Sequence, residues 1–309
     1  MLKELLEAGK CFKLVCGAGN EDALEVEKLV ALYSKAGCKF FDVSAKPEII
    51  DAAKKGLQGR EGYICVSVGI KGDPHVRKAQ IDYEKCAGCH KCEEICPQKT
   101  IKHCKVKTAR CIGCGKCYSV CTHGAISFLS ENKDLNEVLP PLIEKGIDCI
   151  EFHVMGEVES GIYEKWDYIN SVYDGLLSIC TARGKLSEEK MISRIERMTA
   201  IRKPYTTIVQ ADGFPMSGGK DDYKTTLQAV ATAEIVQNAK MPVYIMLSGG
   251  TNSKTAELAK LCGINYNGIA IGTFARKIVN RYIEREDFLK NDYIFNEALN
   301  IARSLVGNV

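Results

Sequence analysis

The sequence predicts an α/β fold, a TIM-like (β/α)8 barrel interrupted after its third strand by a cysteine-rich insert. Three observations carry that expectation. Short apolar runs alternate with segments of helical periodicity along most of the 309 residues, and regular βα alternation implies a parallel sheet. Eight such units can be traced, which over roughly 250 residues matches a barrel. Across residues 80–128 the alternation gives way to cysteines, glycines and charges. An open doubly wound sheet is the alternative that the same alternation allows.

The first strand covers residues 12–17 and its helix 21–36, stopped by Gly37. The second strand is 38–43, followed by a helix over 47–57 that opens on Pro47, a favoured first helical position. The third strand is 63–70. Beyond the insert come a helix at 135–145 and a strand at 148–154. Helices at 162–173, 187–198, 223–238, 254–262 and 275–283 then alternate with strands at 176–180, 206–211, 243–247 and 268–271. One more helix spans 287–305. The barrel domain is thus 1–79 plus 129–309, and the insert is 80–128. A loop after a barrel strand opens on the C-terminal face, where active sites sit. The insert is therefore expected over the barrel mouth.

The insert holds two complete four-cysteine motifs, Cys86-x2-Cys89-x2-Cys92-x3-Cys96 and Cys111-x2-Cys114-x2-Cys117-x3-Cys121. The x2 spacings let three thiolates from one tight loop take three corners of a cubane, while the x3 turn aims the fourth cysteine elsewhere. In two-cluster ferredoxins that fourth cysteine ligates the other cluster. Cys86, Cys89, Cys92 and Cys121 are accordingly assigned to one [4Fe–4S] cluster, and Cys111, Cys114, Cys117 and Cys96 to a second. A zinc site is the simpler alternative, and the tandem repeat argues against it. The module resembles bacterial two-cluster ferredoxins throughout. Gly88, Gly113 and Gly115 stand where backbone passes close to sulfur, and Pro97 follows Cys96. Thr122 stands where proline is usual after Cys121.

Composition limits the partners. The formal charge is +3, and four thiolates per cubane bring it to about −1 with both clusters bound. This speaks against a nucleic-acid binder. Residues 1–10 lack the basic and apolar regions of a secretory signal, and no apolar run reaches the ~20 residues of a membrane span. A cytoplasmic location is expected, where clustered cysteines mean metal. A redox partner protein is expected too. The basic link of Lys99, Lys102, His103, Lys105, Lys107 and Arg110 reads either as a docking patch for an acidic electron partner or as a solvated hairpin. Cys104 reads as a strand-packing thiol, with a spare ligand or a redox-active thiol as alternatives. Cys11, Cys38, Cys65, Cys149 and Cys262 read as small core residues.

In the barrel, the seventh strand runs into Ser248-Gly249-Gly250-Thr251-Asn252 and the eighth into Gly272-Thr273. Glycine-rich turns there hold phosphate in many barrels through backbone N–H groups. Gly249, Gly250, Thr251, Asn252, Gly272 and Thr273 are thus candidate ligand-binding residues. Buried parallel strands should be almost wholly apolar. Asp42, Glu151, His153, Gln210, Asp212, Cys16 and Cys180 break that rule at or near strand ends and are expected to ring the mouth. Asp212, His153 and Cys180 are the candidates for proton chemistry. A buried polar network that fixes strand register is the alternative. Residues 213–219, Gly-Phe-Pro-Met-Ser-Gly-Gly, read as a mobile loop over the mouth.

Five segments together carry a family resemblance. They are Phe12-Lys13-Leu14-Val15-Cys16-Gly17-Ala18, Ala36-Gly37-Cys38-Lys39-Phe40-Phe41-Asp42-Val43, the paired cysteine motifs, Gln210-Ala211-Asp212-Gly213-Phe214-Pro215-Met216-Ser217-Gly218 and Ser248-Gly249-Gly250-Thr251-Asn252. On these the chain resembles the light-dependent period (LdpA-like) iron–sulfur family of cyanobacteria and their bacterial relatives. The resemblance implies a protein that senses or relays cellular redox state, which in cyanobacteria feeds the circadian clock. The stretch containing Lys220 departs from the cyanobacterial pattern. Three readings of function stay open. The first is electron transfer or redox sensing, with a phosphate-bearing small molecule in the barrel. The second is an oxidoreductase in which the clusters feed FMN or a substrate, as in dihydropyrimidine-type dehydrogenases, with Lys71 and Lys220 as weak candidates to face the flavin. The third is a barrel that serves only as a docking platform.

Overall fold

The computed structural model describes residues 1–17, 19–70, 77–130, 132–154, 159–184, 186–213 and 220–309. Eight parallel strands close into a barrel: β1 (Cys11–Val15), β2 (Phe40–Ser44), β3 (Tyr63–Gly69), β8 (Cys149–His153), β9 (Leu176–Thr181), β10 (Thr207–Asp212), β11 (Tyr244–Ser248) and β12 (Gly268–Ile271). Each pairs with the next in chain order, and β12 returns to pair with β1, Cys11 opposite Gly268. An open sheet would leave two unpaired edges, so closure excludes the doubly wound alternative. Outside lie α2 (Ala23–Lys35), α3 (Pro47–Leu57), α6 (Leu135–Glu144), α7 (Glu159–Val172), α8 (Glu188–Thr199), α9 (Tyr223–Asn238), α10 (Thr255–Leu261), α11 (Thr273–Ile283) and α12 (Asp292–Val306). The last helix starts five residues later than its sequence pattern suggests, because the Asn291 side chain accepts the Ile294 N–H and caps it there.

Strand alternation sorts the side chains into two sets. Phe12, Leu14, Phe41, Val43, Val66 and Ile150 face the helices and join the main core. Cys11, Phe40, Cys65, Cys149, Ile208, Tyr244 and Met246 point into the barrel and form a separate apolar layer. The sequence pattern missed what seals that layer. The first residues form a short helix, α1 (Leu2–Glu7), whose Leu2 and Leu6 are buried against it. Its amphipathic run is a plug across the N-terminal end of the barrel. Cys11, Cys38, Cys65 and Cys149 are buried as expected, but Cys262 is exposed, since it lies just past the end of α10 with its side chain turned outward.

Between β3 and β8 the chain leaves the barrel. Strand β4 (Arg77–Ile81) pairs antiparallel with β7 (Ile126–Ser130), Arg77 opposite Ser130. Within this pair lie α4 (Lys91–Ile95), the hairpin of β5 (Ile101–Lys102) and β6 (Lys105–Val106), and α5 (Lys116–Val120). Residues from the insert touch the loops at the C-terminal end of the barrel. Lys107 pairs with Asp22 and Arg110 with Glu25, both at the start of α2. Lys78 reaches Glu21 at 3.3 Å and donates to the Gly19 carbonyl at 2.7 Å. The basic link is therefore partly spent inside the molecule, and neither the docking-patch nor the solvated-hairpin reading covers Lys107 and Arg110.

Candidate functional site

The eight motif cysteines divide between two cavities. Cys86, Cys89, Cys92 and Cys121 line one, and Cys104 lines it with them. Cys96, Cys111, Cys114 and Cys117 line the other. Each cavity thus takes three thiols from one motif and the last from its neighbour, the crossed arrangement that the x3 spacing predicts. Short helices produce it. In α4 and α5 the third cysteine of each motif sits near the helix start, and the fourth caps the helix in extended conformation, which swings its sulfur to the far side.

The surroundings suit cubanes held by thiolates. The Ala79 N–H donates to the Cys111 sulfur at 3.3 Å, and the Thr100 N–H to the Cys96 sulfur at 3.4 Å. Gly113 has a left-handed φ of 63°, and a β-carbon there would lie 2.2 Å from the Arg77 carbonyl oxygen. Only glycine lets the loop close around the sulfurs. Around Cys121, burial works against the thiolate, but the backbone N–H groups of residues 123–126 outweigh it and lower the thiol. Cys104 is not a packing thiol in the hairpin. It sits in the turn between β5 and β6 and lines the first of these cavities beside Cys86.

The barrel mouth forms a third cavity of about 160 Å3. Asp42, Glu151, His153, Gln210 and Asp212 line it, as do Ser248, Gly249, Gly250, Thr251, Gly272 and Thr273. Gly213 and Gly249 approach so closely that a β-carbon on Gly213 would lie 2.3 Å from the Gly249 carbonyl oxygen. That contact locks the turns after β10 and β11 together. Three expected residues fall elsewhere. Asn252 is buried behind the turn, where its amide donates to the Lys220 and Asp222 carbonyls at 3.0 and 2.8 Å. It holds the loop, not a ligand. Cys16 faces the outer core, because alternation puts its neighbour Val15 on the inside. Cys180 lies beneath the mouth, donating to Glu151 at 3.2 Å and accepting from Gln210 at 3.4 Å. Burial, with Glu151 beside it, pushes its thiol far up, so it is a neutral donor and no nucleophile. Lys220 is exposed. Lys71 and residues 214–219 of the expected mobile loop lie outside the described residues.

The centre of the network is Lys13, which the sequence pattern did not single out. It is fully buried on β1, pairs with Glu151, lies 3.4 Å from Asp42 and donates to Gln210 at 3.0 Å. Burial would lower its ammonium, but Asp42 and Glu151 more than offset that and raise it. It stays charged. Glu151 Oε1 also lies 2.9 Å from His153 Nε2, as an ion pair. Burial would raise Glu151, yet Lys13 and His153 together hold it well below the usual carboxylate range. His153, partly open to the mouth, is raised despite burial because Glu151, Asp212 and Asp42 favour its charge. Burial pushes Asp42 up to about 6, while Lys13 and the Ser67 hydroxyl at 2.8 Å restrain it. Burial and the Glu151 charge push Asp212 up to about 7. A strongly ionised pair thus sits deep in the barrel, and two groups able to exchange protons near neutrality sit above it.

Asp212 has a measurable consequence. An unfolded aspartate ionises near 3.9, so between that pH and about 7 the native state holds the extra proton. Stability should therefore be lost as pH rises through this window. Asp212→Asn removes the effect. Relative to the parent, the variant should gain on the order of 1–4 kcal/mol between pH 5 and pH 8. Paired melting curves check it, and an unchanging difference would contradict it.

Two walls of the mouth come from the insert. Gln98 and Ile112 line both the barrel-mouth cavity and the cavity of Cys96, Cys111, Cys114 and Cys117. Gln98 also accepts a hydrogen bond at 3.1 Å from Arg276 of α11, which lines the mouth. Arg276 was not legible either, since an arginine on an amphipathic helix reads as solvent-facing.

Comparison with known proteins fits this picture. The model of the light dependent period A C-terminal domain matches residues 141–308, and that of the LdpA Fe–S cluster-binding domain matches residues 86–132. Light dependent period A of Synechococcus elongatus is 29% identical over 271 residues, covering 84% of this chain and 75% of the relative. Among solved structures, the YdjI aldolase of Escherichia coli superposes with a TM-score of 0.51 at 7% identity, over 99% of this chain and 92% of that one. Dihydrodipicolinate synthase of Oceanobacillus iheyensis gives 0.45 at 11% identity, over 97% and 80%. The aldolase likeness shows the barrel fold alone. Among the described residues no helix is long and apolar enough to cross a membrane.

Proposed function

Since the chain belongs to the light dependent period A family and carries that family's iron–sulfur domain, we propose that it transfers electrons and senses redox state through two [4Fe–4S] clusters set over a ligand site in the barrel. The observation that carries this reading is the shared wall. One cysteine set, here called proximal (Cys96, Cys111, Cys114 and Cys117), lines a cavity that shares Gln98 and Ile112 with the barrel mouth. The other set, called distal, has no fully buried thiol, whereas Cys111 and Cys117 of the proximal set are buried. Exposed Tyr83, Ile95 and Tyr118 lie on the same insert, which suits transient docking of a redox partner protein.

A bound cluster supplies or accepts one electron at a time, at a potential set by its surroundings. The chain's own residues do the rest. Asp212 and His153 hold or release protons at the mouth, so charge arriving there can be balanced. Lys13 keeps Glu151 ionised and fixes the register of β1, β8 and β10. The turn residues Gly249, Gly250, Thr251, Gly272 and Thr273 offer polar groups to a compact, phosphate-sized ligand. About 160 Å3 is small beside the roughly 300–1,000 Å3 of drug-sized ligand sites. The donors of Lys13 are already engaged by Glu151, Asp42 and Gln210. Both points favour relay and sensing over the flavin-bearing oxidoreductase.

Protein purified without oxygen should contain about eight iron and about eight labile sulfide per chain, and its acid extract should show no flavin fluorescence. Stoichiometric FMN in the extract would overturn the relay reading in favour of the oxidoreductase.

A further inference from the structure

We propose that Cys104 is the resolving thiol of the distal site: when a peroxide has stripped that cluster, Cys104 and Cys86 close a disulfide that protects Cys86 from irreversible oxidation. The inference rests on the cluster reading above but concerns a residue outside both cysteine motifs. Five thiols line the distal cavity, and a cubane uses four. Cys104 is the spare, and its thiol lies beside that of Cys86 in the same cavity.

The placement is built, not incidental. His103 and Cys104 are consecutive residues with φ of 49° and 61°. Left-handed backbone is uncommon for non-glycine residues, and here it makes the tight turn that joins β5 to β6. The Glu93 carboxylate holds the turn by accepting the Cys104 N–H at 2.9 Å, and the same oxygen meets His90 Nδ1 at 2.8 Å. Glu93 belongs to α4, the helix that carries Cys92. The turn is thereby pinned to the loop that surrounds the cluster. Cys104 and Cys86 are both partly exposed, so a small oxidant reaches them.

The chemistry balances. The Cys86 thiolate attacks hydrogen peroxide, the O–O bond breaks, and sulfenic acid and hydroxide form. The Cys104 sulfur then attacks the Cys86 sulfur and expels a second hydroxide. The protons of the two thiols convert both hydroxides to water. Two thiols are oxidised by two electrons, and one peroxide is reduced to two waters. A thiol reductant reverses the disulfide, whereas a sulfinate at Cys86 is not reversed this way.

The test uses the anaerobically purified holoprotein. Both clusters are first confirmed by iron content and by electron paramagnetic resonance (EPR), then hydrogen peroxide is added, free thiols are alkylated, and peptides are mapped by mass spectrometry. We expect a Cys86–Cys104 cross-link that appears as the distal signal disappears. Dithiothreitol, ferrous iron and sulfide should then restore the distal cluster. In Cys104→Ser, Cys86 should instead be recovered as sulfinate and restoration should be lost. If Cys104 remains alkylatable after the distal cluster has gone, or Cys86 pairs with Cys89 or Cys92, the proposal is overturned while the cluster reading stands. A protein with no distal cluster before peroxide overturns both.

Discussion

Cys121→Ala should abolish the cluster held by Cys86, Cys89 and Cys92, although Cys121 lies in the other motif. Its EPR spectrum should match that of Cys89→Ala, and the spectrum of Cys96→Ala should match that of Cys114→Ala. Each variant should lose about half the iron. The basis is the division of thiols between the two cavities, one holding Cys121 with the first motif and the other holding Cys96 with the second. If each motif served its own cluster, Cys121→Ala would instead match Cys114→Ala. Iron analysis and EPR of the four variants decide between the two patterns.

Lys13→Met should be the most damaging single change in the barrel. It deletes the cation that Glu151 and Asp42 share and leaves buried carboxylates uncompensated. Breaking a buried pair in this way costs roughly 3–5 kcal/mol, which for a chain of this size lowers Tm by roughly 5–8 °C. The double variant Lys13→Met/Glu151→Gln should recover part of the loss, because the stranded charge is gone. Thermal melts of both variants under argon provide the check. Parental stability in Lys13→Met would mean that the network contributes nothing to the fold.

The barrel was legible because its helices and strands keep their periodicities, and most boundaries fall within two residues of the pattern. Asp42, Glu151, His153, Gln210 and Asp212 were legible for one reason, that charge and amide groups have no place in buried parallel strands without a partner. Lys13 obeys the same rule and was still missed. In Cys-Phe-Lys-Leu-Val a lone lysine between aromatic and aliphatic neighbours reads as a solvent-facing position, and only closure of the barrel turns it inward. Asn252 and Cys180 failed differently. Each has the right residue type at a strand end, but local alternation and loop packing aim it away from the cavity. Lys107 and Arg110 looked available to partners because their acids, Asp22 and Glu25, lie far upstream in sequence. The crossed sharing of cysteines was readable from spacing. The fifth thiol was not, since its position depends on the β5–β6 turn.

Redox sensing at this site requires that the proximal cluster communicate with the barrel mouth. The most direct test is an EPR-monitored redox titration at pH 6 and pH 8, with Cys121→Ala isolating the proximal cluster and Cys96→Ala the distal one. Asp212 passes from neutral to charged across about pH 7, and added negative charge beside a cluster disfavours its reduction. The proximal midpoint potential should therefore fall between pH 6 and pH 8, Asp212→Asn should flatten that dependence, and the distal potential should hold nearly constant. Two clusters that respond alike, or a proximal potential indifferent to both pH and Asp212, would contradict the claim that the electron path ends at the barrel mouth.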